Sequence, residues 1–195
     1  MRVSEGAPQP GSPPARVTWA RVARRIRVPV SFLLALAYVC LARPSWPSLL
    51  AGTLVMIPGL VLRAFASGHV QKDRQLTTSG PYAYTRNPLY LGSLVMAVGF
   101  AVAARSFWIV TLMLLVFILI YGPVIAGEER FLRQAFPEYE DYVRSVPRIL
   151  PRLTPYRTQT SEYSSTRYWK HREYQASLGC LIMLAILVAK LVIFS

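Results

Sequence analysis

The chain is poor in charge, and above all in acidic side chains. Only 16% of its 195 residues are charged, and nine Asp or Glu stand against 22 Lys or Arg. Soluble domains carry about 25% charged residues. Together with a hydrophobic content of 53%, gathered into long runs, this shortage excludes an ordinary soluble domain and predicts a membrane protein.

Cysteine and histidine are equally scarce, with two of each. Cys40 and Cys180 lie inside apolar runs and His69 and His171 are isolated, which excludes a disulfide framework and predicts no metal centre. The glycine-rich signatures of Rossmann and P-loop domains and the G-x-S-x-G of hydrolases are also missing. Any nucleotide-like cofactor must therefore bind without a Rossmann domain.

The apolar runs predict an all-helical integral membrane fold. We expect five spans, at about 28–42, 47–66, 89–104, 107–126 and 176–194. The third and fourth are joined only by Arg105 and Ser106 and form a tight helical hairpin. Apolar residues at helical spacing after Gly127 predict an amphipathic C-terminal arm on the bundle or membrane, divided by Pro137.

The net charge of +13 follows the predicted spans. The N-terminus, the loop 67–88 and the segment 127–175 are basic, whereas the alternate loops are nearly bare. The positive-inside rule then predicts that the basic segments and the N-terminus are cytoplasmic. The short, Arg-rich and Ala-rich chain favours a bacterial inner membrane. The charge indicates topology and contact with anionic lipid, and we expect no nucleic-acid partner.

Four regions follow from these patterns. In residues 1–27, the first part is expected to be disordered and the second part to form a basic segment at the membrane interface. Residues 28–153 form the membrane core. Residues 154–175 are a polar linker and an aromatic interfacial belt, and residues 176–195 are the last transmembrane helix.

The loop Ser79–Gly92, SGPYAYTRNPLYLG, holds three tyrosines, an arginine, an asparagine and two prolines between two apolar runs. One interpretation is a cytoplasmic turn with interfacial tyrosines. The other is a cofactor cradle, in which neutral side chains donate hydrogen bonds, rings offer π faces and prolines hold the backbone.

Glu128 and Glu129 directly follow an apolar run. Carboxylates are costly to immerse in lipid, so each must face water, a cation or a partner. Adjacent helical residues point about 100° apart and serve different purposes. One interpretation leaves one Glu solvated and pairs the other with Arg130 or Arg133, and the other interpretation assigns the pair to a ligand.

The order of these motifs resembles a known family. It runs L-x-T-x-G-P-Y-x-Y-x-R-N-P-x-Y-x-G, then a helical hairpin, E-E, and F-x-x-Y-x-x-Y-x-x-x-V-P-R-x-x-P. Over about residues 50–153 this resembles the isoprenylcysteine carboxyl methyltransferase family, which are integral-membrane S-adenosylmethionine-dependent enzymes related to phospholipid N-methyltransferases. The resemblance implies a methyltransferase with its cofactor site at the cytoplasmic face and a lipid-like or prenylated acceptor.

By position, the resemblance implies S-adenosyl-L-methionine as cofactor, with Arg86, Asn87 and Glu128 positioning the reactants and no further catalytic residue assigned. It implies cofactor contacts at Gln71, Arg74, Gln75, Leu76, Thr77, Tyr82, Asn87, Pro88, Leu89, Tyr90, Gly92, Glu128 and Glu129.

Two positions depart from the family pattern. Asn87 stands where the family has His, so this side chain donates and accepts hydrogen bonds but does not titrate near neutral pH. Val124 stands where the eukaryotic enzymes carry an Arg associated with the substrate carboxylate. Carboxyl O-methylation is the family default, with N- or S-methylation of a phospholipid or small amphiphile and a non-catalytic membrane scaffold as alternatives.

Overall fold

The computed structural model describes residues 19–70, 75–156 and 162–194, and these ranges are helical with no strand. The predicted all-helical fold is confirmed, while the predicted disorder of residues 1–15 lies outside the described residues. The helices are α1 (Trp19–Leu41), α2 (Trp46–His69), α3 (Pro88–Ala104), α4 (Phe107–Val116), α5 (Gly122–Ala135), α6 (Tyr139–Ser145), α7 (Ser165–Lys170) and α8 (Tyr174–Phe194), with a 3₁₀ turn at Gly80–Ala83 and a π-helical segment at Phe117–Tyr121.

Three helices in the described ranges are long and apolar enough to cross a membrane. They are Trp46–His69, the continuous helix Phe107–Ala135 and Tyr174–Ile193. The apolar stretches Val28–Leu41 and Pro88–Ala104 are shorter. The protein is therefore a membrane protein, and five spans stay a prediction.

Helices α2 and α3 pack with their backbones in close contact, because glycines face each other along the seam. A Cβ added at Gly59 would lie 2.7 Å from the Gly92 carbonyl oxygen, and one at Gly92 would lie 2.8 Å from that of Gly59. Gly52, seven residues earlier in α2, and Gly99, seven residues later in α3, repeat this arrangement, with 2.5 and 2.6 Å. The seam holds the loop before α3 against the end of α2.

The long helix Phe107–Ala135 widens at Phe117–Tyr121, where the backbone is π-helical. Such a segment re-aims the side chains around it and is frequent at functional sites. The Trp19 indole N–H donates to the Leu119 carbonyl oxygen at 3.0 Å, which ties the start of α1 to this segment.

The segment predicted as interfacial is partly helix α1, which begins at Trp19 and continues without a break into the apolar run. The reason is local burial: Ala23 is fully buried in one cluster with Ile120 and Val124, and Ile26 packs against it.

Segment 147–156, which follows α6, runs along the loop before α3. The Arg86 N–H donates to the Pro147 oxygen at 3.0 Å, and the N–H groups of Arg152 and Tyr156 donate to Tyr84 and Ala83 at 2.9 and 3.0 Å. Segment 147–156 therefore packs on the loop and supports it.

The predicted linker 154–175 is ordered where it is described, because it caps the end of α2. The last carbonyls of a helix lack partners within the helix. The Arg167 guanidinium donates to the Gly68 oxygen at 3.1 Å, the Ser164 N–H donates to the same oxygen at 3.1 Å, and His171 Nδ1 lies 3.0 Å from the Ser67 oxygen.

Candidate functional site

A cavity of about 560 Å³ opens where α2, α3 and α5 meet the loop. This volume is within the range of pockets for small molecules. Its lining is contributed by four separate parts of the chain: Arg63, Val70, Gln75, Leu76, Thr77, Tyr82, Arg86, Asn87, Pro88, Leu89, Tyr90, Ser93, Tyr121, Glu128, Glu129, Phe131, Leu132, Phe136, Tyr142 and Glu173.

Most of the site residues expected from the sequence lie on this one cavity. The structure brings together Gln75, Leu76, Thr77, Tyr82, Arg86, Asn87, Pro88, Leu89, Tyr90, Glu128 and Glu129. Gly92 does not line it; it lies in the α2–α3 seam, where an added Cβ would also lie 2.6 Å from Cγ of Arg63. Gln71 and Arg74 lie outside the described residues.

The two neighbouring glutamates have opposite environments. Glu129 is buried, and its carboxylate receives Arg148 Nη2 at 2.9 Å, Asn87 Nδ2 at 3.2 Å and the Arg86 Nη1 cation at 3.5 Å. Pairing with Arg130 or Arg133 was therefore wrong, because the chain folds Arg86 and Arg148 onto this face and Arg133 pairs with Glu140 instead, at 2.6 Å.

Asn87 uses its amide group to join three parts of the chain. Nδ2 donates to Glu129 and, at 3.0 Å, to the Arg148 carbonyl oxygen. The side chain thus holds the loop, α5 and segment 147–156 together, and these hydrogen bonds need no titratable group.

Glu128 is exposed at the cavity and accepts a hydrogen bond from the Tyr90 hydroxyl at 3.0 Å. The Tyr90 ring meets Tyr121 edge-on, with centroids 6.0 Å apart, and Tyr121 stacks on Phe117 at 5.9 Å. The π-helical segment therefore places an aromatic wall next to a carboxylate, an arrangement that attracts cations.

Arg63 and Glu173 form a second ion pair that lines the cavity. Arg63 Nη2 and Nε donate to the Glu173 carboxylate at 2.7–3.2 Å, in a bidentate arrangement, and Nη1 donates to the Leu89 oxygen and to Ser93. The two side chains are only 22% and 13% exposed. Two polar clusters thus face the cavity.

Two buried phenols of the cavity, Tyr82 and Tyr142, remain neutral. Burial raises the pKa of Tyr82 well above its ordinary value, and the Glu128 charge raises it further. Burial also raises the pKa of Tyr142, whose hydroxyl donates to the Tyr82 carbonyl oxygen at 2.7 Å. These groups donate hydrogen bonds and do not act as bases.

Sequence reasoning missed Arg63, Ser93, Tyr121, Arg148 and Glu173. Two of these carried a signal. Arg63 is a charge inside an apolar run, which by itself indicates function, and Glu173 is an acidic residue in a basic belt. His69, by contrast, does not line the cavity: its Nδ1 lies 2.8 Å from the Phe65 oxygen and its ring is buried.

Residues 59–139 match the model of the phospholipid methyltransferase family. The matched stretch runs from the α2–α3 seam to the start of α6 and holds the loop and both glutamates. Arg148 and Glu173 lie outside it.

The chain is also similar to three named proteins. It is 36% identical over 113 residues to the cobalt-zinc-cadmium resistance protein CzcN of Cupriavidus metallidurans, covering 58% of this chain and 51% of that protein. It is 34% identical over 113 residues to the nickel-cobalt-cadmium resistance protein NccN of Alcaligenes xylosoxydans xylosoxydans, covering 58% and 52%.

The third relative is the protein-S-isoprenylcysteine O-methyltransferase of Schizosaccharomyces pombe, 29% identical over 140 residues, or 69% of this chain and 59% of that enzyme. The chain spans about half the length of the relatives it matches. No solved structure matches it. The family match and this enzyme confirm the resemblance to membrane methyltransferases.

Proposed function

We propose that this protein is a membrane-embedded S-adenosylmethionine-dependent methyltransferase that acts on a lipid-like acceptor, most directly by O-methylation of a carboxylate. One observation carries the proposal: the loop Ser79–Gly92 and the pair Glu128–Glu129 line the same cavity, at the polar end of apolar helices and within the family-matched segment.

The cavity chemistry fits this cofactor. Arg86 lines the cavity; its Nη1 lies 3.5 Å from the Glu129 carboxylate, while its Nε is buried without a hydrogen-bond partner among the described residues. Buried donors that lack a partner cost stability, so an anionic group placed beside them is favoured. The cofactor carboxylate is such a group, and Glu128 offers the opposite charge for its ammonium or ribose hydroxyls.

When bound, S-adenosylmethionine supplies a methyl group on a sulfonium cation. Tyr90 and Tyr121 present ring faces and edges beside Glu128, which favour a cation at that wall. Glu129 has a different role: its ion pairs with Arg86 and Arg148 hold the loop in place.

A carboxylate acceptor needs no general base, because it attacks without losing a proton. The chain then contributes mainly orientation and the exclusion of water. The raised phenol pKa values agree with this, since the neutral tyrosines orient groups without exchanging protons.

N-methylation of a phospholipid amine is the second candidate, and the match to the phospholipid methyltransferase family favours it. That reaction releases a proton from the amine nitrogen. Glu128 is the candidate to accept it, since it is exposed to the cavity and water. A tritiated methyl donor offered to membrane extracts distinguishes methyl esters, which are labile to base, from methylamines, which are stable; thiol methylation gives a third, base-stable product.

The names of two relatives refer to metal resistance. Among the described residues no group of three or more His, Cys, Asp or Glu side chains could hold a metal ion.

The proposal also orients the molecule. Many of the residues that line the cavity come from segments 67–88 and 127–175, which are the basic ones, so the positive-inside rule supports a cytoplasmic cavity and N-terminus. The cofactor then arrives from water and the acceptor from the bilayer.

Replacing Glu128 with Gln tests the function. We expect E128Q to abolish S-adenosylmethionine binding measured by calorimetry, with an unchanged thermal unfolding midpoint, because Glu128 takes part in no ion pair within the described residues. Glu138→Gln, an exposed carboxylate away from the cavity, is the matched control and should bind normally. Normal binding by E128Q refutes the assignment, and binding by neither variant nor the wild type supports the non-catalytic scaffold.

A further inference from the structure

We infer that Arg63 is the recognition residue for the carboxylate of an anionic amphiphile, and that Glu173 occupies this position as an intramolecular competitor. The inference rests on the proposed function, because it names the class of acceptor. It uses Glu173, a residue outside the family-matched segment.

The first argument is geometric. Arg63 presents Nη2 and Nε side by side to both oxygens of Glu173, at 2.7–3.2 Å, while Nη1 is held by Leu89 and Ser93. A fork fixed in this way suits a planar group with two oxygens. The position already binds a carboxylate, and that carboxylate belongs to the protein's own chain.

The second argument is location. Next to the cavity lies a second, apolar cavity of about 180 Å³ between α1, α3 and α4, which we call the apolar groove. Ser93 and Tyr121 line both spaces. Since Ser93 accepts from Arg63, a hydrocarbon chain in the groove brings its head group to the guanidinium.

The third argument is that Glu173 is not needed to hold its own segment. The segment 162–173 is fastened to the end of α2 by Arg167, Ser164 and His171. The buried ion pair therefore has little to add to docking, whereas breaking it leaves a cation facing the cavity. An incoming carboxylate that replaces Glu173 restores the pair and releases Glu173 toward water.

Binding of laurate, with dodecanol as the neutral probe of equal chain length, tests this inference on the full chain in nanodiscs. We expect Glu173→Gln to bind laurate about tenfold more tightly than the wild type, because the competing charge is gone, with dodecanol binding unchanged. Glu162→Gln, an exposed carboxylate on the same segment, is the control and should match the wild type.

Arg63→Gln should lose the preference for laurate over dodecanol, and the double variant with Glu173→Gln should not regain it. Arg63→Lys keeps the charge without the fork and should show a weaker preference, which supplies the comparison if Arg63→Gln does not fold. Thermal unfolding midpoints accompany every binding curve.

Two results overturn the inference. One is a Glu173→Gln variant that loses thermal stability with unchanged laurate affinity, as a purely structural pair requires. The other is a preference for laurate that survives in Arg63→Gln. Neither measurement uses the methyl donor, so a failure of the proposed function at Glu128 is seen separately.

Discussion

The two polar ends of the cavity are built in different ways. At the loop end, Glu129 is enclosed by Arg86, Asn87 and Arg148, with contributions from the loop, α5 and segment 147–156. At the helix end, Arg63 faces a single carboxylate, that of Glu173. In the first cluster, one carboxylate has several partners. In the second, one cation has one carboxylate partner, and another carboxylate can take its place.

The two clusters are therefore suited to different tasks, the network to holding the structure rigid and the pair to binding a carboxylate. Removing one member of a network leaves other buried charges without partners, whereas a bidentate pair can accept any carboxylate of suitable reach. We interpret the loop end as the structural support of the cofactor site and the helix end as the acceptor site.

The largest effect is expected from a substitution that removes the ion pairs at the loop end. Glu129→Ala leaves Arg86 and Arg148 without their carboxylate and should lower the free energy of unfolding by about 3 kcal/mol. Thermal unfolding in detergent measures it. Glu128→Ala is the matched neighbour and should change stability little, since its carboxylate is exposed; equal losses from both variants would mean that the two glutamates are not distinct.

A smaller effect is expected from a variant that disturbs Arg63 at the helix end. Gly92→Ala places a Cβ 2.8 Å from the Gly59 oxygen and 2.6 Å from Cγ of Arg63, so α2 and α3 must separate and Arg63 must move. Overpacking of this kind costs about 1–3 kcal/mol. We expect laurate binding to weaken more than S-adenosylmethionine binding, with both affinities measured by equilibrium binding.

The control for that variant is Gly179→Ala on α8, where an added Cβ meets nothing within 4 Å. It should fold at least as stably as the wild type, because Ala favours a helix over Gly. If Gly92→Ala binds laurate normally, the seam does not position Arg63.

The smallest effect tests the support of the loop. Tyr142→Phe removes the hydroxyl that donates to the buried Tyr82 oxygen and should cost about 1 kcal/mol in the free energy of unfolding. Thermal unfolding in detergent measures it, with Tyr163→Phe, a more exposed tyrosine, as the control.

The same variant has a pH signature. The pKa of Tyr142 is raised by burial, so above about pH 10 the unfolded chain loses this proton before the folded one does. The contribution of this phenol to stability is therefore constant below that pH and falls as the pH rises beyond it. Tyr142→Phe should make the fall shallower, and an unchanged slope would contradict burial of this phenol.

The helices were predictable because the signal is local. A run of apolar residues lowers the free energy of transfer into lipid wherever it lies in the chain, so the run predicted at 47–66 is observed as Trp46–His69. The helix at residues 19–27 was not predicted, because it depends on the burial of Ala23 against Ile120, almost one hundred positions away.

The site was predictable only in part. The unusual order of proline, tyrosine and glutamate is enough to indicate the loop and the acidic pair as a candidate site. The partners of Glu129 and Arg63 were not predictable. Arg63 and Glu173, for example, are 110 positions apart, and no short-range pattern links them.

The amino-acid sequence by itself determined a helical membrane protein, its basic face and the residue types of a methyltransferase-like loop, because hydropathy, charge and motif order are properties of the chain alone. Tertiary structure alone decided which carboxylate is enclosed and which is exposed, and which cation faces the acceptor side. Those outcomes depend on side chains from distant segments, because Arg86 and Arg148 meet Glu129 and Glu173 meets Arg63 only in the folded chain.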